Sequence, residues 1–184
     1  MRLLSLGLSL AGLLYPFAIY FLIGWVPAGL LLVVPLGLIA GRIAVSRGTP
    51  MLKSFVPILI AVAAVTVCLA VADRDTAVKA YPILMGAGMA AAFGRSLLSG
   101  PTLVESMASL RETGITPEAR LYMRKVTWVW FVFLIVNCTI SILTLIGGRL
   151  DLWTLYNGLI SYLLMGVLFA GERLVRRHLM DHAA

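Results

Sequence analysis

Residues 126–146 read VTWVWFVFLIVNCTISILTLI, a run of 21 residues without a charged side chain. A helix needs about 20 apolar residues to cross the hydrocarbon core of a bilayer. This segment therefore predicts a transmembrane helix, and the rest of the chain has the same character. Of the 184 residues, 61% are apolar and 12% are charged, whereas a soluble domain is about half apolar and a quarter charged. The composition excludes a soluble enzyme, a disordered protein and a disulfide-stapled secreted module. It favours a single integral membrane domain over residues 1–184.

Outward from this segment, the chain contains six apolar runs. They predict an all-α fold with six transmembrane spans, at about Leu3–Ile23, Ala28–Ala44, Ser54–Ala72, Lys79–Arg95, Val126–Ile146 and Leu152–Gly171. The fourth run has only 15 residues between its two flanking charges, which is about 22 Å of helix. Lys79 and Arg95 are therefore expected to extend toward water, to thin the bilayer or to face protein.

The basic residues divide unevenly between the two sides of these spans. Three lie on one side, namely Arg74, Lys79 and Arg149, and twelve lie on the side that holds both termini: Arg2, Arg42, Arg47, Lys53, Arg95, Arg111, Arg120, Arg124, Lys125, Arg173, Arg176 and Arg177. Loops rich in Lys and Arg stay in the cytoplasm. The asymmetry predicts a multi-pass protein of the inner membrane with both termini cytoplasmic. It also explains the net charge of +7 through contact with anionic lipid, without nucleic acid.

The long connection between the fourth and fifth spans has its own pattern. Thr102 and Glu105 have the spacing of a helix capping box. A short amphipathic helix over Thr102–Glu112 is predicted, with an apolar stripe at Leu103, Val104, Met107 and Leu110 that suits the membrane surface. Gly114 is expected to break it, and Pro117 to begin a helix that runs without interruption into the fifth span.

Polar side chains inside or at the ends of the spans are the candidate binding residues: Arg95, Asn137, Asn157, Tyr162 and Glu172. An amide in hydrocarbon is costly unless it is paired, so Asn137 should face another helix. Two explanations stay open for the polar residues of the last two spans: they join the helices, or they line a cavity for a head group or substrate. Arg95 and Glu172 lie at span ends, where extension into water is the simpler account.

Other patterns point to packing rather than chemistry. The four-residue spacings of Gly86, Ala90 and Gly94, and of Gly37 and Gly41, are typical of closely packed membrane helices, with a substrate path as the alternative. Cys68 and Cys138 are interpreted as small buried hydrophobes. His178 and His182 share a helical face but lack a third ligand, so no metal is expected. No catalytic motif or cofactor-binding motif occurs.

Several strings of the chain resemble a known family. They are Ala80-Tyr81-Pro82, Gly100-Pro101-Thr102-Leu103-Val104-Glu105, Leu155-Tyr156-Asn157-Gly158-Leu159-Ile160, Phe169-Ala170-Gly171-Glu172 and Leu174-Val175-Arg176-Arg177. The chain from about Tyr81 to Arg177 resembles a family of uncharacterised bacterial inner-membrane proteins encoded beside the ketosynthases, acyl carrier proteins and acyltransferases of aryl-polyene-type lipid clusters. It is more distantly similar to septation protein A, in its Leu152-Trp153 pair and in the pattern of Pro101, Leu103 and Met107.

The resemblance implies a role in lipid or cell-envelope biogenesis and carries over no catalytic residue. The first hypothesis is a non-catalytic accessory or docking subunit that recruits cytoplasmic enzymes of lipid synthesis. Its contact surface, called here the basic face, consists of Arg120, Arg124, Lys125, Arg173, Arg176 and Arg177. The expected partners are membrane lipids and an acidic protein, for which acyl carrier protein is the candidate that the resemblance suggests. The second hypothesis is a small transporter or flippase for a lipid-like product, and a membrane enzyme using Arg95, Tyr162 and Glu172 is third. A homo- or hetero-oligomer is left open.

Overall fold

The computed structural model describes residues 2–46, 55–110 and 114–181, and this part of the chain is all-α, as predicted. Within these described ranges nine helices follow one another, with a π-helical turn at Tyr156–Ile160 between the last two. They are α1 (Arg2–Leu22), α2 (Ala28–Leu31), α3 (Val33–Ser46), α4 (Val56–Ala72), α5 (Arg74–Leu98), α6 (Leu103–Ala108), α7 (Pro117–Ile146), α8 (Leu150–Leu155) and α9 (Ser161–Asp181).

In the part of the chain that the structure describes, three stretches of helix are long and apolar enough to cross a membrane, namely Arg74–Leu98, Pro117–Ile146 and Leu150–Arg176. They correspond to the fourth, fifth and sixth predicted spans. The segments that correspond to the first three are shorter apolar helices, at Leu10–Leu22, Ala28–Ala44 and Val56–Ala72. The length and composition of the three long helices therefore fit a membrane location.

Helix α5 is longer than the 15 apolar residues of its sequence predict. It has 25 residues, which is about 37 Å, because its ends are set by caps and not by charges. The Asp73 carboxylate accepts hydrogen bonds from the Asp75 amide, at 3.0 Å, and from the Thr76 hydroxyl. The Thr76 hydrogen bond lowers the pKa of the Asp73 carboxyl. Lys79 and Arg95 consequently lie inside the helix, where backbone hydrogen bonding continues past the apolar stretch.

Small residues bring α5 against α7. A Cβ added at Gly86 would lie 2.9 Å from the Cys138 sulfur, and one added at Gly94 would lie 2.8 Å from the Phe131 ring. Ala90 lies between these glycines and is buried. Since residues late in α5 meet residues early in α7, the two helices are antiparallel. The packing interpretation of this glycine pattern is therefore confirmed.

The other side of α5 contributes to a second core with α1, α3, α4 and α8. Tyr15, Ile19 and Trp153 are among its most buried side chains, each 1% exposed. On α3 the predicted close approach holds for Gly41, where a Cβ would lie 2.9 Å from Leu8, but not for Gly37, which faces open space.

The two cysteines differ in their surroundings. Cys138 is buried between α5 and α7, as predicted, but Cys68 is exposed. The interpretation of Cys68 as a buried side chain is wrong, because α4 is apolar on all its faces and hydropathy alone cannot show which face meets protein.

The glycine contacts lead to a stability prediction. Gly94→Val should lower the free energy of unfolding in detergent by about 1–3 kcal/mol, since the added carbons overlap the Phe131 ring. Gly166→Val is the matched control, because Gly166 is also helical and has open space around it. Thermal unfolding of both variants measures the difference. Equal destabilisation by the two substitutions would contradict close packing at Gly94.

Candidate functional site

The connection between α5 and α7 is anchored to the bundle by its own hydrogen bonds. The predicted capping box forms: the Thr102 hydroxyl accepts from the Glu105 amide at 3.3 Å, and the Glu105 carboxylate accepts from the Thr102 amide at 3.4 Å. The Ser96 hydroxyl of α5 accepts from the Leu103 amide at 3.0 Å. Helix α6 is thus attached to the end of α5 and does not lie apart from the bundle.

Helix α6 is shorter than the helix predicted over Thr102–Glu112. It ends at Ala108, where the Ser109 hydroxyl donates to the Ser106 carbonyl at 3.0 Å and competes with continuation of the helix. Residues 111–113 lie outside the described part of the chain. The residues of the apolar stripe differ in their surroundings. Leu103 and Val104 pack against the cluster that contains Phe93, whereas Met107 and Leu110 are exposed.

Glu105 also joins α6 to the first turn of α7. Its carboxylate lies 3.4 Å from the Arg120 guanidinium, and the Glu105 side chain is only 15% exposed. The pair borders an open cleft of about 640 Å³, lined by Gly100, Pro101, Glu105, Ser109, Gly114, Ile115 and Arg120. As predicted, α7 begins at Pro117, is capped by the Thr116 hydroxyl and continues without a break to Ile146.

The start of α7 lies next to the end of α9. The Tyr122 hydroxyl donates to the Glu172 backbone carbonyl at 3.3 Å. Beside it, the Glu172 carboxylate lies 3.7 Å from the Arg176 guanidinium. Because the two helices are antiparallel, the cations that enter α7 and those that leave α9 lie at the same end of the bundle.

Within the described part of the chain, the cations of the basic face fall into two groups. Arg120 pairs with Glu105, Arg176 pairs with Glu172, and Arg124 donates to the Leu97 carbonyl at 3.0 Å. Lys125 and Arg173 are exposed and have no partner among the described residues. The Arg177 side chain and the His178–His182 pair lie outside the described residues.

Three of the candidate residues lie apart from one another. Arg95 is exposed in the last turn of α5, whereas the Tyr162 hydroxyl donates to the Gly12 carbonyl at 3.4 Å. Ten residues of α9 separate Tyr162 from Glu172, which is about 15 Å along the helix. These three residues make no described contact with one another, as they would in a shared catalytic site.

The polar residues of the last two spans meet at the π-helical turn. The Tyr156 hydroxyl donates to the Asn137 side-chain oxygen at 3.0 Å and so links this turn to α7. Asn157 instead donates to the Trp153 carbonyl of its own helix at 2.9 Å. Asn137 therefore faces another helix, as predicted.

Two buried polar atoms beside this turn lack hydrogen-bond partners in the described part of the chain, the Trp153 indole nitrogen and the Thr154 hydroxyl. The π turn was not predicted, although Gly158 marks its position. A Cβ at Gly158 would lie 2.8 Å from the Phe17 ring of α1, so α1 packs closely against the wider turn.

Arg42 is a further residue that sequence reasoning did not select, because it was counted only as a cytoplasmic charge. Its guanidinium reaches Gly12 of α1, with Nη2 3.8 Å from the position of an added Cβ. The Tyr162 hydroxyl, which donates to the Gly12 carbonyl, reaches the same residue of α1. The only signal for this placement in the sequence is that Arg42 ends an otherwise apolar run.

No protein-family model, curated protein or solved structure matches this chain.

Among the residues that the structure describes, no three His, Cys, Asp or Glu side chains are grouped so that they could hold a metal ion.

A double-mutant cycle tests the link between α7 and the π turn. Asn137→Leu and Tyr156→Phe should each lower the free energy of unfolding in detergent by about 0.6–2 kcal/mol, the range for hydrogen bonds between membrane helices. The double variant should lose less than the sum, since both changes remove the same bond. Additive losses would show that the two side chains do not interact. A loss of activity at normal stability and abundance would indicate a binding site in place of a structural link.

Proposed function

We propose that this chain is a non-catalytic docking subunit of the bacterial inner membrane, with six spans and both termini in the cytoplasm. It recruits an acidic cytoplasmic protein of lipid or cell-envelope biogenesis to the basic face. The observation that carries the proposal is the Tyr122–Glu172 hydrogen bond. It joins the start of α7 to the end of α9 and so unites the cations of two helices on one surface.

The arrangement of this surface supports contact with a protein. Lys125 and Arg173 are exposed and unpaired within the described residues, while the neighbouring arginines are held by Glu105, Leu97 and Glu172. Exposed cations attract an acidic partner over roughly a Debye length and speed its association. Acyl carrier protein, the acidic carrier of acyl chains, is the partner suggested by the resemblance of Leu155–Ile160 and Leu174–Arg177 to proteins encoded beside aryl-polyene-type synthases.

A second candidate function, a transporter or flippase for a lipid-like product, is favoured by a different observation. Trp153 and Thr154 bury polar atoms without partners among the described residues, next to the π-helical turn. π turns are frequent at functional sites, and unpaired polar atoms between helices can hydrogen-bond to a ligand or water.

Reporter fusions test the proposed topology. A fusion after Gly114 should be active as a cytoplasmic reporter, and a fusion after Gly148 as a periplasmic one, because the basic residues concentrate on the side of Gly114. Alkaline phosphatase and a cytoplasm-specific fluorescent protein read the two sides independently. A periplasmic signal at Gly114 would overturn the proposed orientation.

Charge reversal tests docking. The variant Lys125→Glu/Arg173→Glu changes two cations without breaking a described contact, whereas reversal at Arg176 would also break its ion pair. It should weaken capture of purified acyl carrier protein by about tenfold or more, and high salt should weaken capture by the unaltered protein similarly. Binding to the chain in nanodiscs of neutral lipid measures both effects.

The matched control is Arg74→Glu/Lys79→Glu, which makes the same change in net charge at the other end of the bundle without breaking a described ion pair. It should capture the carrier as the unaltered chain does. Equal capture by both double variants would contradict the docking proposal and favour the transporter hypothesis.

A further inference from the structure

Arg42 lies between helices at a depth where a cation is costly. Its Nη2 is next to Gly12, which is ten residues from either end of α1, or about 15 Å along the helix axis. Side chains on a helix lean toward its N-terminus. Since Arg42 lies close to the C-terminal end of α3, its guanidinium extends away from that end and toward the middle of the bundle.

One phenol lies beside the same residue of α1 as this guanidinium. The Tyr162 hydroxyl of α9 donates to the Gly12 carbonyl at 3.4 Å, the long end of the hydrogen-bond range. Arg42 and Tyr162 therefore both reach α1 at Gly12.

Arg42 has no carboxylate partner in the described part of the chain. The ion pairs there involve other arginines, at the ends of helices: Arg120–Glu105, Arg149–Asp151 and Arg176–Glu172. Arginines inside membrane segments are rare and almost always face the bundle interior or a water-filled cavity, where they pair with other groups. The Arg42 side chain is only partly buried, so an anion from outside the protein can reach it.

We infer that Arg42 and Tyr162 form, beside Gly12, a binding site for the oxyanion head group of an amphiphile, between α1, α3 and α9. The guanidinium supplies a planar pair of N–H donors that matches phosphate or carboxylate oxygens. The Tyr162 hydroxyl supplies a further donor after release from Gly12. The apolar tail then lies along the lipid-exposed helix surfaces. This site is separate from the basic face, and its existence does not depend on docking.

Binding of defined amphiphiles tests the inference. The purified full chain, in nanodiscs of phosphatidylcholine, is titrated with dodecyl phosphate and followed by its thermal stability. Saturable stabilisation is expected, and dodecanol at the same concentration should not produce it. Equal effects of dodecanol and dodecyl phosphate would overturn the site, because the head group would then contribute nothing.

Variants locate the site. Arg42→Gln should raise the Kd for dodecyl phosphate by about tenfold or more, and Tyr162→Phe should raise it by a smaller factor. Arg74→Gln is the matched control, since Arg74 is an exposed arginine at a helix end, and its Kd should be unchanged. Arg42→Gln should be at least as heat-stable as the unaltered chain without ligand, because it removes an unpaired cation. An unchanged Kd for Arg42→Gln overturns the assignment.

Two further measurements complete the test. If Arg42→Gln does not fold, Arg42→Lys keeps the charge but loses the planar pair of donors, and its Kd should rise severalfold. Inorganic phosphate distinguishes the source of the oxyanion. If inorganic phosphate binds as tightly as dodecyl phosphate, the ligand is a free anion and the proposal of an amphiphile is overturned. Much weaker binding of inorganic phosphate supports an amphiphile.

Discussion

The close approach of α5 to α7 at Gly86 and Gly94 is the contact on which the rest of the bundle depends. In lipid, apolar side chains gain nothing by leaving their surroundings, so helices associate through close packing and polar contacts. The missing side chains of these glycines admit Cys138 and Phe131. Once α7 is fixed in this way, Tyr122 and Asn137 position the last helices through their hydrogen bonds to Glu172 and Tyr156.

The sequence predicted those parts of the fold that local chemistry controls. The all-α class follows from composition, and the start of α7 from Thr116 and Pro117. The capping box of Thr102 and Glu105 follows from spacing, since both of its bonds form between residues three apart. The length of α5 was underestimated because it was taken from the apolar stretch between two charged residues. The backbone hydrogen bonds of a helix continue past such charges and end at a cap such as Asp73.

The candidate site was less predictable, because it depends on contacts between distant residues. Asn137 was expected to face a neighbouring helix, but its partner could not be selected among several polar residues of the last span. Hydropathy and the positive-inside rule count Arg42 only as a charge at the end of a span. The depth of its guanidinium depends on Gly12, thirty positions earlier, which leaves space for it beside α1.

The arginines of the basic face and Arg42 differ in how their charges are compensated. Arg120, Arg124 and Arg176 each have a partner in the chain: Arg120 joins α7 to α6, Arg124 joins α7 to α5, and Arg176 pairs within α9. They lie at helix ends, where water and lipid head groups would stabilise a cation in any case. Arg42 has no such partner among the described residues, although its position makes an uncompensated charge far more costly. Because no described carboxylate compensates this cation, the proposed oxyanion head group supplies the interaction that offsets its cost.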